Sequence, residues 1–234
     1  MASKKLAQSC WTTQFEWALK SNATRILLWG PPGTGKTHQA TQCGVFHRTT
    51  LHAGSTPDDL IGGWRLKAEN GGTSTHWSHG TAVSAMMNGE ILILDEIDHA
   101  GSEIISTLHA VLDDTRIAQL RTGEGVIKPR SGYKVIATMN GNPSDLAPAL
   151  LDRFDAVIHA RIVNPCAVED LPPQLQKLAL EITDKERRWI GAVTPRTIMS
   201  YDRLTKSGVP SDVAAIMCWG ETASDVLTSI GMGS

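Results

Sequence analysis

The feature that most constrains the fold of this chain is a glycine-rich stretch that follows a short apolar run. The run Ile26-Leu27-Leu28 predicts a buried strand, and the proline-free segment 38–45 predicts a helix. Between them stands the pattern G-x-x-x-x-G-K-[ST], as Gly30-Pro31-Pro32-Gly33-Thr34-Gly35-Lys36-Thr37. In this order of elements, backbone N–H groups of the loop and of the helix start point at bound phosphate groups. The stretch therefore predicts a nucleoside triphosphate site, in which Lys36 reaches the β and γ phosphates and Thr37 binds Mg²⁺.

Composition restricts the class of protein without naming its function. The 234 residues are 41% hydrophobic, enough to bury the core of one large domain or of a domain with a small appendage. A net charge of −2 and the lack of a long basic run favour neither nucleic acid nor a membrane surface as a partner. No apolar run approaches the roughly 20 residues that cross a bilayer, so we expect a cytoplasmic chain. Four scattered cysteines indicate reduced thiols: Cys10, Cys43, Cys166 and Cys218.

A second apolar run ends in two acids. Ile91-Leu92-Ile93-Leu94 predicts a central strand of a parallel sheet, covered by helices on both faces, and 49–53 predicts a further strand. Ligands bind at the carboxyl ends of such strands, where the sequence places Asp95 and Glu96. We expect Asp95 to hold Mg²⁺ through the metal's water shell, and Glu96 to orient the attacking water for hydrolysis.

Three features near the predicted strands leave alternatives open. Asp95 with Asp98 also resembles the acidic motif of helicases, although the chain is too short for a second recombinase-like core. Asn140 follows a predicted strand at 134–138, and it either holds a water or a γ-phosphate oxygen with its amide or serves as a turn residue. Trp29 either touches an adenine or packs at the strand end, and packing is favoured.

Two segments predict β-hairpins inserted into the core. The first, at about 62–78, turns at Asn70-Gly71-Gly72, and the second, at about 116–128, turns at Thr122-Gly123-Glu124. Prolines at 165 and at 172–173 mark a boundary, after which helix patterns occur without a strand pattern. The sequence therefore predicts an α/β nucleotide-binding core with both hairpins over 1–165 and a helical lid over 166–234.

Taken together, the motifs resemble those of AAA+ ATPases. The order and spacing are similar for Gly30–Thr37, Asp95-Glu96, Ala137-Thr138-Met139-Asn140 and Leu150-Leu151-Asp152-Arg153-Phe154. The resemblance is greatest to the branch that contains MoxR proteins, dynein motor units and the CbbQ-, GvpN- and CobS-type ATPases. The sequence features that resemble this branch are Asp59-Leu60-Ile61-Gly62, both hairpins and Thr194-Pro195-Arg196. The likeness extends over about 24–204. It implies a P-loop NTPase fold, with a three-layer αβα core around a parallel sheet, followed by a small all-helical lid.

The resemblance also implies roles for single residues. Asn140 matches the sensor 1 position. Arg153 matches the arginine finger, which enters the neighbouring subunit's site and stabilises charge that builds on the γ-phosphate. Without the resemblance, Arg153 would be assigned to a surface ion pair with Asp152 or Asp155. Arg196 matches sensor 2, the lid residue that touches the nucleotide of its own subunit, and its place in a first helical turn, where the helix dipole disfavours a cation, favours a functional role.

The expected function is that of a ring-forming ATPase. The resemblance implies a homo-oligomer, expected to be a hexamer, that hydrolyses ATP with Mg²⁺ and remodels or assembles a partner protein. A protein with a von Willebrand factor A domain is the partner expected by analogy. Two alternatives stay open: a nucleic-acid motor of the same fold, and a scaffold whose assembly is switched by nucleotide. A small-molecule kinase is disfavoured, because it would leave Arg153 and the lid unexplained. The cations that could serve nucleic acid cluster around the second hairpin, where a solvated face is the favoured explanation for them: Arg116, Arg121, Lys128, Arg130 and Lys134.

Overall fold

The structure is a computed structural model that describes residues 10–69, 72–114, 118–164, 166, 168–184 and 193–231. Arg116 of the expected second hairpin and Pro165 at the expected boundary lie outside these residues. The chain divides into one unit of the residues up to Gly30 with Thr37–His159, and another of Pro31–Lys36 with the residues from Ala160 onward. Each unit is described by itself. Within the described ranges, no helix is long and apolar enough to cross a membrane.

A parallel sheet is the centre of the first unit. The elements up to His159 follow in chain order: α1 (Trp11–Lys20), β1 (Arg25–Trp29), α2 (Lys36–Thr41), β2 (Phe46–Thr50), α3 (Pro57–Ile61), β3 (Gly62–Glu69), β4 (Gly72–His79), α4 (Thr81–Asn88), β5 (Ile91–Asp95), α5 (Ile105–Val111), β6 (Leu120–Thr122), β7 (Gly125–Ile127), β8 (Lys134–Met139), α6 (Pro148–Leu151) and β9 (Ala156–His159). Five strands pair in parallel in the order β2-β5-β8-β1-β9. This arrangement confirms the predicted parallel sheet.

The central strands carry the core because their side chains are apolar on both faces. Every residue of β5 is buried, as is β8 from Val135 onward. The edge strands are less buried: alternate residues of β2 are exposed, and one residue of β9 is exposed. Helices cover the sheet with apolar side chains that join the same cluster, among them Val83, Met86, Leu108 and Val111.

Both edge strands differ from the sequence predictions. β2 was predicted at 49–53, but it begins at Phe46, opposite Ile91, and ends at Thr50, opposite Asp95. None of its residues is buried and most are polar, so its start cannot be recognised from a hydrophobic pattern in the sequence. β9 was not predicted at all, since Ile158 is its one buried residue. Its start is held by Asp155, whose Oδ2 accepts the backbone N–H groups of Thr24 and Arg25 at 2.9 and 3.0 Å.

Two antiparallel hairpins, β3–β4 and β6–β7, belong to the first unit. Trp64 and Trp77 face each other across β3 and β4, with an edge-to-face contact and ring centroids 5.6 Å apart. The turn of the second hairpin packs on these rings, because a Cβ at Gly123 would lie 2.4 Å from Cε3 of Trp77 and 2.9 Å from Cε2 of Trp64. Only glycine permits this approach. The two hairpins therefore form one contiguous surface.

The second unit also contains four α-helices in its described residues: α7 (Pro173–Asp184), α8 (Pro195–Lys206), α9 (Ser211–Trp219) and α10 (Ala223–Ser229). Their apolar side chains form a separate cluster. Tyr201 and Trp219 stack at its centre, with ring centroids 4.6 Å apart, and the Tyr201 hydroxyl contacts Ser211 Oγ at 2.6 Å. The helical character predicted for this region is therefore confirmed.

Candidate functional site

The glycine-rich loop between β1 and α2 folds over its own carbonyl groups. Gly33 has a φ of 81°, in the left-handed region that glycine adopts at little cost. Thr34 Oγ1 and Lys36 Nζ both donate to the Pro31 carbonyl oxygen, at 3.1 and 2.8 Å. The predicted loop residues are placed as follows: Gly30, Thr34 and Lys36 buried, Pro31 and Pro32 exposed, and Gly33, Gly35 and Thr37 half-buried. The loop therefore holds the ammonium group of Lys36 inward.

Within the second unit, the start of α8 lies against residues Pro31–Lys36 of this loop. A Cβ at Gly33 would lie 3.1 Å from Pro195 Cδ, so Pro195 packs directly on the glycine. Arg196, the predicted sensor 2 residue, follows Pro195 and is exposed. Buried Asn164 donates its backbone N–H to the Thr34 carbonyl oxygen at 2.9 Å. The loop is thus supported by two segments far from it in sequence.

Asp95 is the centre of a polar network in the first unit. Its Oδ1 accepts the hydroxyl groups of Thr37, at 2.7 Å, and of Thr138. Its Oδ2 accepts Nη2 of Arg48, which lies on the edge strand β2. Burial acts to raise the pKa of Asp95, but the hydrogen bonds from Thr138, Thr37 and Arg48 and the charge of Arg48 outweigh it and lower the pKa. Asp95 is therefore an ionised carboxylate at neutral pH.

Thr37 and Asp95 fit a hydrated Mg²⁺ ion by the chemistry of their oxygen atoms. A hydroxyl has one proton and two lone pairs, and the Thr37 proton points to Asp95, which leaves its lone pairs for another partner. Magnesium binds hard oxygen ligands and keeps several of its waters. An ionised carboxylate next to a hydroxyl with free lone pairs meets that requirement.

Glu96 and Asn140 lie just beyond the ends of the adjacent strands β5 and β8. Glu96 has a φ of 57° and is the one residue other than glycine with positive φ in the described ranges. Such a conformation costs on the order of 1–3 kcal/mol and concentrates at functional sites. The Glu96 N–H donates to Thr138 Oγ1 at 3.3 Å, so Thr138 ties both acids to β8. Asp98 Oδ2 accepts the N–H groups of Asn140 and Gly141, at 3.3 and 3.1 Å.

Arg153 lies after α6 and contacts the end of α5. Its Nε donates to His109 Nδ1 at 3.0 Å, and its Nη1 donates to Asp113 Oδ1 at 2.9 Å. The ion pair considered from the sequence, between Arg153 and Asp155, is not formed. Asp155 pairs with Arg25 instead, at 2.6 Å, because its place before β9 sets it beside the start of β1.

Several supporting residues were missed as site residues by the sequence analysis. Thr138 was quoted only as part of a motif, and Arg48 and Asn164 have no local signal for their contacts. The alternation of side chains along a strand gives a partial signal for Thr138, since it stands two residues before Asn140. Trp29 stacks on His159, with ring centroids 3.6 Å apart, which agrees with the packing alternative.

Comparison with known proteins identifies the family. The family model of the AAA domain (dynein-related subfamily) matches residues 25–154. The chain belongs to that family. The resemblance to AAA+ ATPases predicted from the motifs is therefore confirmed, and with it the P-loop ATPase class of this AAA domain.

Relatives of this AAA domain are longer than the chain. It is similar to the protein NorQ of Paracoccus denitrificans, with 33% identity over 150 residues, 60% of this chain and 54% of NorQ. It is also similar to the uncharacterised protein YojN of Bacillus subtilis, with 32% identity over 138 residues, 55% of this chain and 45% of YojN. The chain thus spans about half the length of these relatives.

Solved structures confirm the fold of this AAA domain. NtrX from Brucella abortus, in complex with ATP, is similar with a TM-score of 0.56 and 18% identity, over 96% of this chain and 65% of NtrX. The RuvB Holliday junction branch migration motor of Thermotoga maritima is similar with a TM-score of 0.50 and 17% identity, over 96% of this chain and 70% of RuvB. At these sequence identities the structural similarity supports the fold alone.

Proposed function

We propose that this AAA domain hydrolyses ATP with Mg²⁺ in a homo-oligomeric ring and uses the reaction to remodel or assemble a partner protein. The observation that supports the proposal best is the network on Asp95. An ionised carboxylate and the hydroxyl of Thr37 lie 2.7 Å apart at the end of a central strand, directly beside a strained Glu96. A structural role alone would not require that combination.

Each predicted residue has a role in this proposal. The N–H groups of the glycine-rich loop and Lys36 bind the phosphates, while Thr37 and Asp95 hold the hydrated metal. Mg²⁺, when bound, would neutralise charge on the phosphate oxygens. Glu96 orients and deprotonates the attacking water, and Asn140 fixes the direction of that water or of a γ-phosphate oxygen.

Two arginines complete the proposed site from different subunits. Arg196, at the start of α8, contacts the nucleotide of its own chain, because Pro195 beside it packs on the loop. Arg153 enters the site of the neighbouring subunit in a hexamer. His109 and Asp113 then keep its guanidinium in one orientation, which is what stabilisation of a developing negative charge requires.

The partner contact is assigned to the surface formed by the two hairpins. Trp64 and Leu66 lie on the same face of β3, and both are exposed, as is Val126 on β7. Large apolar side chains exposed together mark protein interaction surfaces. A partner with a von Willebrand factor A domain remains the proposal by analogy.

Nucleotide binding and hydrolysis are tested with two substitutions. Lys36→Ala should abolish binding of a fluorescent ATP analogue, and Glu96→Gln should bind it while phosphate release falls at least about 100-fold. The matched control is Glu103→Gln, because Glu103 is an exposed glutamate seven positions after Glu96 in the chain. Normal turnover by Glu96→Gln would refute its assigned role. The stalled variant in ATP should also capture a partner that Lys36→Ala does not.

The shared site is tested by mixing two inactive variants. Arg153→Ala should bind ATP but hydrolyse little, and Lys36→Ala should not bind it. Hybrid rings contain interfaces with an intact loop in one subunit and an intact arginine in the next, so the mixture should recover part of the turnover. Full turnover by Arg153→Ala at every protein concentration would refute the assignment in trans.

The nucleic-acid alternative has less support from the cations that would serve it. Lys134 Nζ is already bound to the carbonyl oxygens of Leu19 and Ala23, at 3.0 and 2.8 Å. Stimulation of turnover by DNA that falls steeply with salt would favour this alternative. Oligomerisation on nucleotide binding without turnover would favour the scaffold.

A further inference from the structure

Arg48 is a charged neighbour of the proposed metal site that the proposed mechanism does not use. It lies on β2, and its Nη2 binds Oδ2 of Asp95, while the two threonine hydroxyls occupy Oδ1. The carboxylate that is expected to attract a divalent cation is therefore already paired with a monovalent one.

The two partners of this ion pair differ in their access to water. The Arg48 side chain is 44% exposed, whereas the Asp95 side chain is 8% exposed and is fixed by two further hydrogen bonds. The Arg48 guanidinium is already partly hydrated and gains water when it leaves the pair, whereas the buried Asp95 carboxylate cannot move into water. If the pair separates, Arg48 is the partner that moves.

We propose that Arg48 is a counter-ion of the metal site, whose guanidinium binds Oδ2 of Asp95 and competes with hydrated Mg²⁺ for that oxygen. This inference rests on the proposed function of Asp95 and deepens it. Arg48 stabilises the buried carboxylate through this ion pair, which hydrated Mg²⁺ must displace to reach the same oxygen. It is a positioning residue, and it sets the concentration of Mg²⁺ that the site needs.

The position of β2 in the sheet makes this exchange feasible. Among the described strands β2 is at the edge of the sheet and pairs with β5, and Arg48 is one of its exposed residues. A long side chain at such a place can swing away without disturbing the core. The same residue on β8 or β1 would be enclosed by neighbouring strands.

The test compares the free Mg²⁺ concentration that gives half-maximal binding of a fluorescent ADP analogue. Arg48→Met and Arg48→Gln remove the competing charge and should lower that concentration about tenfold, the effect of a single charge near a partly exposed site. Arg48→Lys keeps the charge and should stay within about threefold of the wild type. Arg130→Met removes an exposed arginine from the loop before β8 and should change nothing.

A titration with Mn²⁺ alone, followed by electron paramagnetic resonance, separates this inference from the proposed function. Tighter Mn²⁺ binding by both neutral Arg48 variants without nucleotide supports the exchange, whether or not nucleotide binds. Equal or weaker cation binding by the neutral variants overturns it. If the wild type binds no nucleotide at any Mg²⁺ concentration, the proposed function fails, and the Mn²⁺ result still decides the role of Arg48.

Discussion

At the scale of single residues, Thr138 connects the two acids to the strand beside them. Its hydroxyl donates to Asp95 Oδ1, and its oxygen accepts the N–H of Glu96. A buried carboxylate is tolerated only where its oxygens find donors. Thr138 therefore keeps Asp95 charged and also fixes the backbone at Glu96, where positive φ must be maintained.

We predict that Thr138→Val lowers the free energy of unfolding by about 1–3 kcal/mol, because it leaves a buried charged group with one donor fewer. Val has nearly the shape of Thr, so little volume changes. Urea unfolding measures the effect, and Thr138→Ser, which keeps the hydroxyl, should recover most of it. A Thr138→Val protein as stable as the wild type would show that the hydrogen bonds contribute nothing.

A second prediction concerns Asp155 and pH. Burial acts to raise its pKa, but the hydrogen bonds from Arg25, with the N–H groups of Thr24 and Arg25, outweigh burial and lower the pKa. A carboxylate with a lowered folded pKa stabilises the protein above its unfolded pKa of about 3.9, and that contribution disappears as the pH falls through the folded pKa.

Asp155→Asn should therefore destabilise the protein by about 1–3 kcal/mol near neutral pH. The difference from the wild type should shrink below about pH 4. Urea unfolding at several pH values checks this, with the exposed neighbour Asp152→Asn as the control. A difference that does not change with pH would mean that the charge of Asp155 is not responsible.

At the scale of elements, the start of α8 determines where Arg196 stands. Thr194 and Thr197 form a reciprocal cap, in which Thr194 Oγ1 accepts the N–H of Thr197 at 3.2 Å and Thr197 Oγ1 accepts the N–H of Thr194 at 2.9 Å. Proline at the first helical position suits a helix start, since its missing N–H would be unpaired there anyway. The cap therefore fixes the first turn, which carries Arg196.

Thr194→Ala should cost about 1 kcal/mol of stability, as expected for the loss of a helix cap. Thermal unfolding measures the loss. Thr194→Ser keeps the oxygen that accepts the hydrogen bond and should stay close to the wild type. If the cap also positions Arg196 as proposed, the affinity for nucleotide should fall in Thr194→Ala and not in Thr194→Ser.

At the scale of the whole molecule, the proposed site would be complete only in an assembly, because Arg153 is proposed to act in the neighbouring subunit. Turnover per subunit should then rise with protein concentration and reach a plateau when the ring is formed. Phosphate release and light scattering, measured over the same dilution series, should change together. Constant turnover per subunit down to concentrations at which only monomers scatter would contradict a shared site.

The sequence by itself determined the parts whose patterns are strong. The apolar run 91–94 predicted a buried strand, and the glycine-rich pattern before a predicted helix indicated the loop that ends in Lys36 and Thr37. α8 begins at Pro195, which puts Arg196 in its first turn as expected, since a threonine before a proline is a local signal of a helix start. These features depend on residues a few positions apart, which a sequence displays directly.

Only the tertiary structure decided the partners of the site residues and the edges of the sheet. β2 and β9 bury too few side chains to produce a hydrophobic pattern, and their position depends on pairing with β5 and β1. Arg48 reaches Asp95 because β2 lies beside β5, although the two residues are far apart in the chain. Such contacts arise from the order of strands in the sheet, and that order is fixed by packing over the whole unit rather than by any local stretch.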